Sequence, residues 1–421
     1  MKKKVIWIVN NYAGTPERGM QFRQYYLASA LRQLGYEAFV ISSSYHHLLT
    51  NFPENGVADE KGVPFLWIRN TKYHGNGVGR IVNMIIFSTL YPVEGMKKLP
   101  PPDVIITSSP HLFVLPPALI LSHVMRTKPR VIFEVRDIWP LSLTELMNTS
   151  RWNPLVVTFS IIEKAGYKYS DAVVSLIPGA IEHMKKKGLK EEQFNYIPNG
   201  LPEEVIKKYE KPSREILSDE DRKTLEKIES MTAGCSFKFV FTGTVGLGTG
   251  IESLLEGFAT FSSKINSACF IVVGDGALFE SLRKKYSHPS YPVFFTGRVK
   301  PSLVPHILKM SDVACAGWPN KKIYELGGSP NKLFDYMAAS LPILFVAPVK
   351  EEYNIVARAG AGITIQDYDK PRIAEGFEKL FKMDPDERKK MGHNGHKYLL
   401  QNFTYREIGK QYSKLIEKLL D

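Results

Sequence analysis

The feature that most limits how this chain can fold is an alternation of short apolar runs with helical patterns, which starts twice. Strand-like runs near residues 4–10, 37–43, 63–69, 103–107, 130–135, 171–176 and 194–197 are separated by helical stretches near 20–34, 79–98, 112–126, 151–169 and 178–187. The alternation restarts with strand-like runs near 237–242, 269–273, 292–296, 312–316, 342–346 and 361–365, and two polar helical stretches (386–401 and 404–420) follow. Strands alternating with helices imply parallel sheets covered by helices on both faces. The expected fold class is therefore α/β, with two tandem Rossmann-like parallel-sheet domains facing across a crevice and ligands at the carboxyl ends of the strands. Residues 199–236 break the pattern with Pro202, Pro212, Gly234 and the charged run SDEDRKTLEKIES, which reads as a linker or surface insertion with one exposed helix. The expected organisation is a first domain over 1–198, the linker over 199–236, a second domain over 237–402 and a closing helix over 403–421.

A chain of 421 residues accommodates two or three such cores. Cys235, Cys269 and Cys315 are far apart and lack metal-ligand spacing, so they read as thiols of a reducing compartment. The apolar run after the first lysines is short and ends at Asn10-Asn11, which favours a first buried strand over a leader. Leu112–Leu121 is the longest apolar stretch and falls well below the ~20 residues that span a bilayer. The net charge is +12, and residues 1–200 carry 23 Lys and Arg against 15 Asp and Glu. A basic first half suggests an anionic partner, although the same charge would serve solubility alone.

The second half carries the more informative motifs. The stretch FTGTVGLGTGIESLLEGF (241–258) takes an apolar strand into Gly243, Gly246, Gly248 and Gly250 and then into a helix. Such turns let backbone N–H groups and a helix N-terminus approach an anion, but this one matches neither the P-loop nor the dinucleotide fingerprint. Gly274, Asp275 and Gly276 end another strand, Gly297, Arg298 and Val299 a third. GGSPNKLFDYMAASLPILF (327–345) then sets Ser329, Asn331, Lys332, Leu333 and Asp335 around a helix start. Glycine at a strand end is common in any α/β domain; several such ends with a first-turn lysine point to a phosphorylated ligand. Asp335 could accept from a ribose diol or simply complement the helix dipole.

In the first half, Gly19 and Arg23 lie in a polar loop and helix after the first strand, another anion-friendly arrangement. His111 stands at a strand end in TSSPHLF, where a structural role is the commoner one. FEVRDIWPLS places Arg136 and Asp137 directly after a buried strand, where open α/β sheets put their functional loops.

Together these segments resemble the family 4 glycosyltransferases of the two-domain GT-B fold, in particular the bacterial branch that builds surface polysaccharide and O-antigen. The resemblance covers nearly the whole chain. It rests on the Gly19/Arg23 loop, Arg136-Asp137-Ile138-Trp139-Pro140, Ile197-Pro198-Asn199-Gly200, Phe241-Thr242-Gly243-Thr244, Val273-Gly274-Asp275-Gly276 and the segment Ser329–Ala338. It implies a donor-binding second domain, an acceptor-binding first domain and a last helix that crosses back to the first. The chain departs from the family at several points. Thr244 and Thr249 stand where many members have Arg and Lys. Asp335 and Gly327 stand at the paired Glu positions, with Glu325 two residues early, and Arg136 replaces a common His.

The resemblance implies transfer of a sugar, such as an N-acetylated hexosamine, from a nucleoside diphosphate donor of the UDP-sugar type to a lipid-diphosphate-linked glycan, with retention. No cofactor is expected, because the nucleotide-sugar is a substrate, and no metal. The glycine turn would hold the diphosphate through backbone N–H groups, with Lys332 or Arg298 supplying charge; Asp137 and His111 are the catalytic candidates. Gly19, Arg23 and Arg136 are assigned to the phosphate or acceptor side. The stretch 77–100 reads either as a contact with an anionic membrane face or as a core helix with a charged end. The expected location is cytoplasmic, peripheral at the inner face of the cell membrane. The alternatives are a nucleotide-sugar 2-epimerase of the same fold and a non-catalytic polyanion binder. Nucleic acid is not an expected partner, since no helix interleaves basic and aromatic residues in a groove-reading pattern.

Overall fold

A computed structural model describes residues 3–75, 77–265, 267–287 and 291–421. The chain divides into two compact units, Met1–Asn199 with Tyr405–Asp421, and Gly200–Thr404.

The first unit is built on an eight-stranded sheet of β1 (Val5–Val9), β2 (Glu37–Ser43), β3 (Gly56–Glu60), β4 (Val63–Ile68), β5 (Val104–Ser108), β6 (Arg130–Val135), β7 (Ala172–Ser175) and β8 (Phe194–Tyr196), in the order β3-β4-β2-β1-β5-β6-β7-β8. All neighbours are parallel except the β3–β4 pair. β1, β5 and β6 are almost continuously buried, as strands covered on both faces must be. The helix Arg23–Gln33 and the last helix, Tyr405–Leu420, cover one face with Leu27, Leu31, Ile408, Tyr412 and Ile416. β3 is absent from the sequence reading. Its residues Asp59 and Glu60 are poor strand formers, but Lys61 (φ 50°) and Gly62 (φ 85°) form the two-residue turn with positive φ that joins hairpin strands of natural twist.

The second unit holds β9 (Phe237–Thr242), β10 (Ala268–Val273), β11 (Val293–Gly297), β12 (Val313–Gly317), β13 (Ile343–Val346) and β14 (Gly362–Ile365), all parallel, in the order β11-β10-β9-β12-β13-β14. Phe239, Phe258, Phe261 and Phe377 form an aromatic cluster on one face, with Phe239 and Phe377 meeting edge-on at 4.9 Å.

Residues 199–236, expected as a linker or surface insertion with one exposed helix, hold two α-helices. Helices Glu203–Glu210 and Asp219–Met231 bury Ile206, Tyr209, Leu225 and Ile228 in the same core as Leu333 and Met337 of the second unit. The charged composition conceals this because each helix turns only one narrow stripe inward. Ser218 caps the second of these helices by accepting from the Asp221 N–H at 3.2 Å, and Asp219, Glu220 and Asp221 complement its dipole.

A fully buried ion pair ties the first unit together. Arg23 Nε donates to Glu134 Oε2 at 2.9 Å, and its other nitrogens donate to the carbonyls of Pro198 and Ile197. Glu134 also accepts from Ser108 Oγ at 2.6 Å and from Tyr412 Oη. Burial alone would raise the Glu134 carboxyl, but Arg23 and these hydroxyls outweigh it and hold it below its ordinary value. Removing one partner of a buried pair strands the other charge, so Arg23→Met should cost about 3–5 kcal/mol in chemical unfolding, whereas Arg23→Met with Glu134→Leu should cost less than the single change. Equal losses in the two variants would contradict this account.

Candidate functional site

In each sheet the strand order reverses at one place, and the loops leaving the strands there splay apart to make room for ligands. In the first unit that place lies between β1 and β5, where Asn10-Asn11-Tyr12 and Ser109-Pro110-His111 emerge, with Arg136-Asp137 beside them after β6. Ser109 fixes the last pair, accepting from the Arg136 N–H at 2.8 Å, while Asn10 Nδ2 donates to the carbonyls of Ser108 and Ser109. The Tyr12 ring meets the rings of His46 and His111 edge-on, each at 5.7 Å between centroids. Arg80 Nε donates to Tyr12 Oη at 3.0 Å.

This region is rich in buried polar atoms that the described residues leave without hydrogen-bond partners: Asn11 Oδ1, His46 Nδ1, Thr107 Oγ1, both ring nitrogens of His111, and Nε and Nη1 of Arg136. Folded proteins leave few such atoms, and a cluster of them at a strand-order reversal calls for partners from outside the chain. Burial lowers both His46 and His111 to about 3, so both imidazoles are neutral at physiological pH. A neutral buried imidazole offers one donor and one acceptor, which suits hydroxyl groups, but it is too weak a base to take a proton efficiently near pH 7. Asp137 is exposed, yet the protein mass around it raises its carboxyl above the ordinary value, with Arg136 pulling it back down. Burial likewise lowers Arg136, against the pull of Glu134 and Asp137.

One expectation for this unit needs correction. Arg23 is not on an anion-binding surface: it is consumed by Glu134 and the carbonyls of Ile197 and Pro198. Gly19 serves a close backbone crossing, since a Cβ there would lie 2.1 Å from the Leu48 carbonyl oxygen.

In the second unit the strand order reverses between β9 and β12. In the glycine turn after β9 the Gly243 N–H donates to the Val273 carbonyl, and after β10 the Gly274 N–H donates to the Gly297 carbonyl, each at 2.9 Å, so these two N–H groups are taken up between the strand ends. The glycines allow this crossing: Gly274 has φ of 134°, and a Cβ on it would lie 1.9 Å from Gly243 O. Thr249 Oγ1 closes the loop by donating to Gly246 O at 2.7 Å. What faces the turn is Lys332, whose Nζ would lie 3.4 Å from a Cβ on Gly243. That ammonium is buried, sits 3.8 Å above the Phe241 ring and has no hydrogen-bond partner among the described residues. Burial lowers Lys332 to about 7 although Asp335 opposes the shift.

Asp335 is already engaged, accepting from Tyr209 Oη at 2.9 Å, and burial raises it to about 6. Leu333 is a core residue, so its side chain is not available to a ligand. Val299 packs partly against the same core. Thr244, Gly248, Asp275, Arg298 and Asn331 are exposed around the turn and the neighbouring strand ends; Gly246, Gly276, Glu325 and Ser329 are half-buried. The sequence reading missed Trp318, which follows β12 and stacks on Tyr324 at 5.2 Å; an aromatic residue directly after a strand was the available signal. It also missed Tyr12 and His46. Among the described residues no group of three or more His, Cys, Asp or Glu side chains could hold a metal ion.

An unpartnered buried lysine is a cost to the fold, so Lys332→Met should stabilise the unliganded protein by about 1–4 kcal/mol, as when buried ionic groups give way to apolar ones. The sign with pH follows from the folded pKa of about 7 lying below the unfolded value of roughly 10.4. Below pH 7 both states are charged and the penalty is complete; as pH rises towards the unfolded value it disappears. The gain in chemical-unfolding free energy should therefore be largest near pH 6 and shrink by pH 10. A gain that grows with pH would refute the assignment.

Two family models match the chain: that of the glycosyl transferase 4-like domain over residues 18–200, and that of the glycosyl transferases group 1 over residues 225–398. An uncharacterized glycosyltransferase of Methanocaldococcus jannaschii, MJ1069, is 24% identical over 262 residues, a stretch spanning 62% of this chain and 62% of that protein. Among solved structures, sucrose-phosphate synthase from Thermosynechococcus elongatus superposes with a TM-score of 0.70 at 14% identity, covering 99% of each chain. The Anabaena protein Alr3699/HepE, solved in complex with UDP and glucose, superposes with a TM-score of 0.63 at 13% identity, covering 99% of this chain and 100% of that one. With its two parallel-sheet units matched in turn by the two family models, the chain belongs to the glycosyltransferases of the GT-B fold, of the family 4 type.

Proposed function

We propose that this glycosyltransferase moves a sugar, an N-acetylated hexosamine, from a UDP-sugar bound on the second unit to a lipid-diphosphate-linked glycan bound on the first. The reaction retains anomeric configuration, needs no metal or other cofactor, and serves bacterial surface polysaccharide synthesis at the cytoplasmic face of the membrane. The observation that carries the donor assignment is the Lys332 ammonium, which faces the Gly243 turn with no hydrogen-bond partner among the described residues. The fold neighbour solved with UDP and glucose supports a nucleotide donor. On the acceptor side, neutral His46 and His111 suit glycan hydroxyls, and the unpaired nitrogens of Arg136 suit a phosphate.

In the transfer, the bond from the sugar C1 to the diphosphate oxygen breaks and a bond from C1 to the acceptor oxygen forms. The acceptor proton passes to the departing diphosphate. Lys332 stabilises the charge that develops on that leaving group, a contribution greatest where water is excluded. Asp137 orients the acceptor hydroxyl.

The test is release of UDP by the purified protein with a panel of UDP-sugars, with and without a lipid-linked acceptor. Release that requires acceptor supports transfer; epimerised donor without acceptor would replace this reading with the epimerase one. UDP should slow hydrogen exchange at 243–248 and 330–335, and protection confined to 3–190 would remove the donor from the second unit. Charge-assisted bonds to a diphosphate contribute roughly 1.5–3 kcal/mol, so Lys332→Met should weaken UDP binding at least about tenfold by calorimetry. Asp137→Asn should lower turnover by about 10²–10⁴-fold while keeping UDP affinity. The acid limb of the wild-type pH–rate profile should lie above the ordinary aspartate range and vanish in that variant. Near-normal turnover with a lowered melting point would make Asp137 a scaffold residue.

A further inference from the structure

Gln21 lies near the end of the loop that leads from β1 into the helix Arg23–Gln33. Its φ of 71° is in the left-handed region, which a residue with a side chain enters at a cost. Its neighbours hold the loop there: the Met20 N–H donates to the Leu48 carbonyl at 3.0 Å, the Gly14 N–H donates to the Gln21 carbonyl at 3.3 Å, and Gly19 bridges to Leu49. Glycine would take the same conformation freely, but it could not make the contact that Gln21 makes. Gln21 Oε1 accepts from Arg136 Nη2, 115 residues away in sequence. The other two nitrogens of that guanidinium, Nε and Nη1, are buried and have no hydrogen-bond partner among the described residues.

We propose that Gln21 is a positioning residue, which grips Arg136 by one nitrogen and keeps the remaining two for an anionic group of the acceptor, its diphosphate. The inference rests on the proposed contact between Arg136 and that phosphate. The neutrality of the grip is what matters. A carboxylate would hold a guanidinium more tightly, as Glu134 holds Arg23, but would cancel its charge. A neutral amide oxygen takes up one donor and leaves the charge intact. Of the carboxylates that pull on Arg136, Glu134 is taken up by Arg23, Ser108 and Tyr412, and Asp137 is exposed to water, which weakens its field. Without a fixed grip a long side chain samples several rotamers, and binding a ligand would have to order it each time. The strained backbone at Gln21 is the cost of a cation already in place.

The test is calorimetric titration of the full chain with inorganic pyrophosphate while UDP is present at saturation, so that the second unit is occupied. The wild type should bind, and Arg136→Met should abolish that binding. Gln21→Gly frees the guanidinium and Gln21→Glu cancels its charge, so each should weaken pyrophosphate binding at least about tenfold, as when a charge-assisted contact is lost. Gln21→Gly should nevertheless melt within about 3 °C of the wild type, because relief of the strained backbone offsets the lost hydrogen bond. Wild-type pyrophosphate affinity in both Gln21 variants, with binding still lost in Arg136→Met, would overturn the positioning role and leave the phosphate reading standing. Binding that survives Arg136→Met, or its absence in the wild type, would remove the phosphate contact and the positioning role with it. A Gln21→Gly protein that melts many degrees lower would make Gln21 a scaffold residue and overturn the proposal.

Discussion

The first unit depends on a charge pair that water never reaches. Arg23 and Glu134 are 111 residues apart in sequence, and between them they engage the first helix, β6, the end of β5 through Ser108, the last helix through Tyr412, and the carbonyls of Ile197 and Pro198. A buried pair is worth little relative to apolar packing of the same shape, but each partner without the other is expensive. Mispacked arrangements that separate these groups are therefore disfavoured. Glu134 lies just before Arg136-Asp137 and Ser108 just before Ser109, so the same network sets the ends of β5 and β6 from which the candidate acceptor residues emerge.

Two other basic groups are treated in the opposite way. Arg136 keeps Nε and Nη1 unsatisfied, and Lys332 keeps its ammonium over an aromatic ring with no hydrogen-bond partner among the described residues. The contrast with Arg23 separates scaffold from site. A charge whose partners are all supplied by the chain contributes to folding, whereas a buried charge left without them lowers stability in exchange for ligand affinity. In the proposed function Lys332 would take on the task that the resemblance gives to an Arg and a Lys at the positions of Thr244 and Thr249. One desolvated ammonium beside the turn gives a stronger field than exposed cations would.

The glycines of the second unit illustrate how one residue type serves different physical ends. The Gly-rich turn has the composition of an anion cradle, yet the Gly243 and Gly274 N–H groups extend the sheet, and their lack of a Cβ permits strand ends to cross at contact distance. The turn still shapes the place where Lys332 lies. Its part is to bring backbone close enough for a side chain from another segment to reach it.

Much of the architecture is legible in the sequence because strands and helices announce themselves through local periodicity. The parallel strands fall within a residue or so of the runs read from apolar pattern, and the candidate loops fall at their carboxyl ends, where parallel topology puts them. β3 escaped because its pairing comes from a Lys61-Gly62 turn and a neighbour, with no apolar run of its own. Residues 199–236 read as a linker or surface insertion with one exposed helix because a thin apolar stripe among charges shows its purpose only when a core is present to receive it. Composition likewise could not distinguish Arg23 from Arg136, or show that Asp335 is held by Tyr209, since these outcomes rest on contacts between residues remote along the chain. The sequence by itself determined the alternating two-unit α/β layout and where its loops emerge, because periodicity is local. Tertiary structure alone decided which charges are neutralised and which are buried without a hydrogen-bond partner among the described residues, because desolvation and pairing depend on everything that packs around a group.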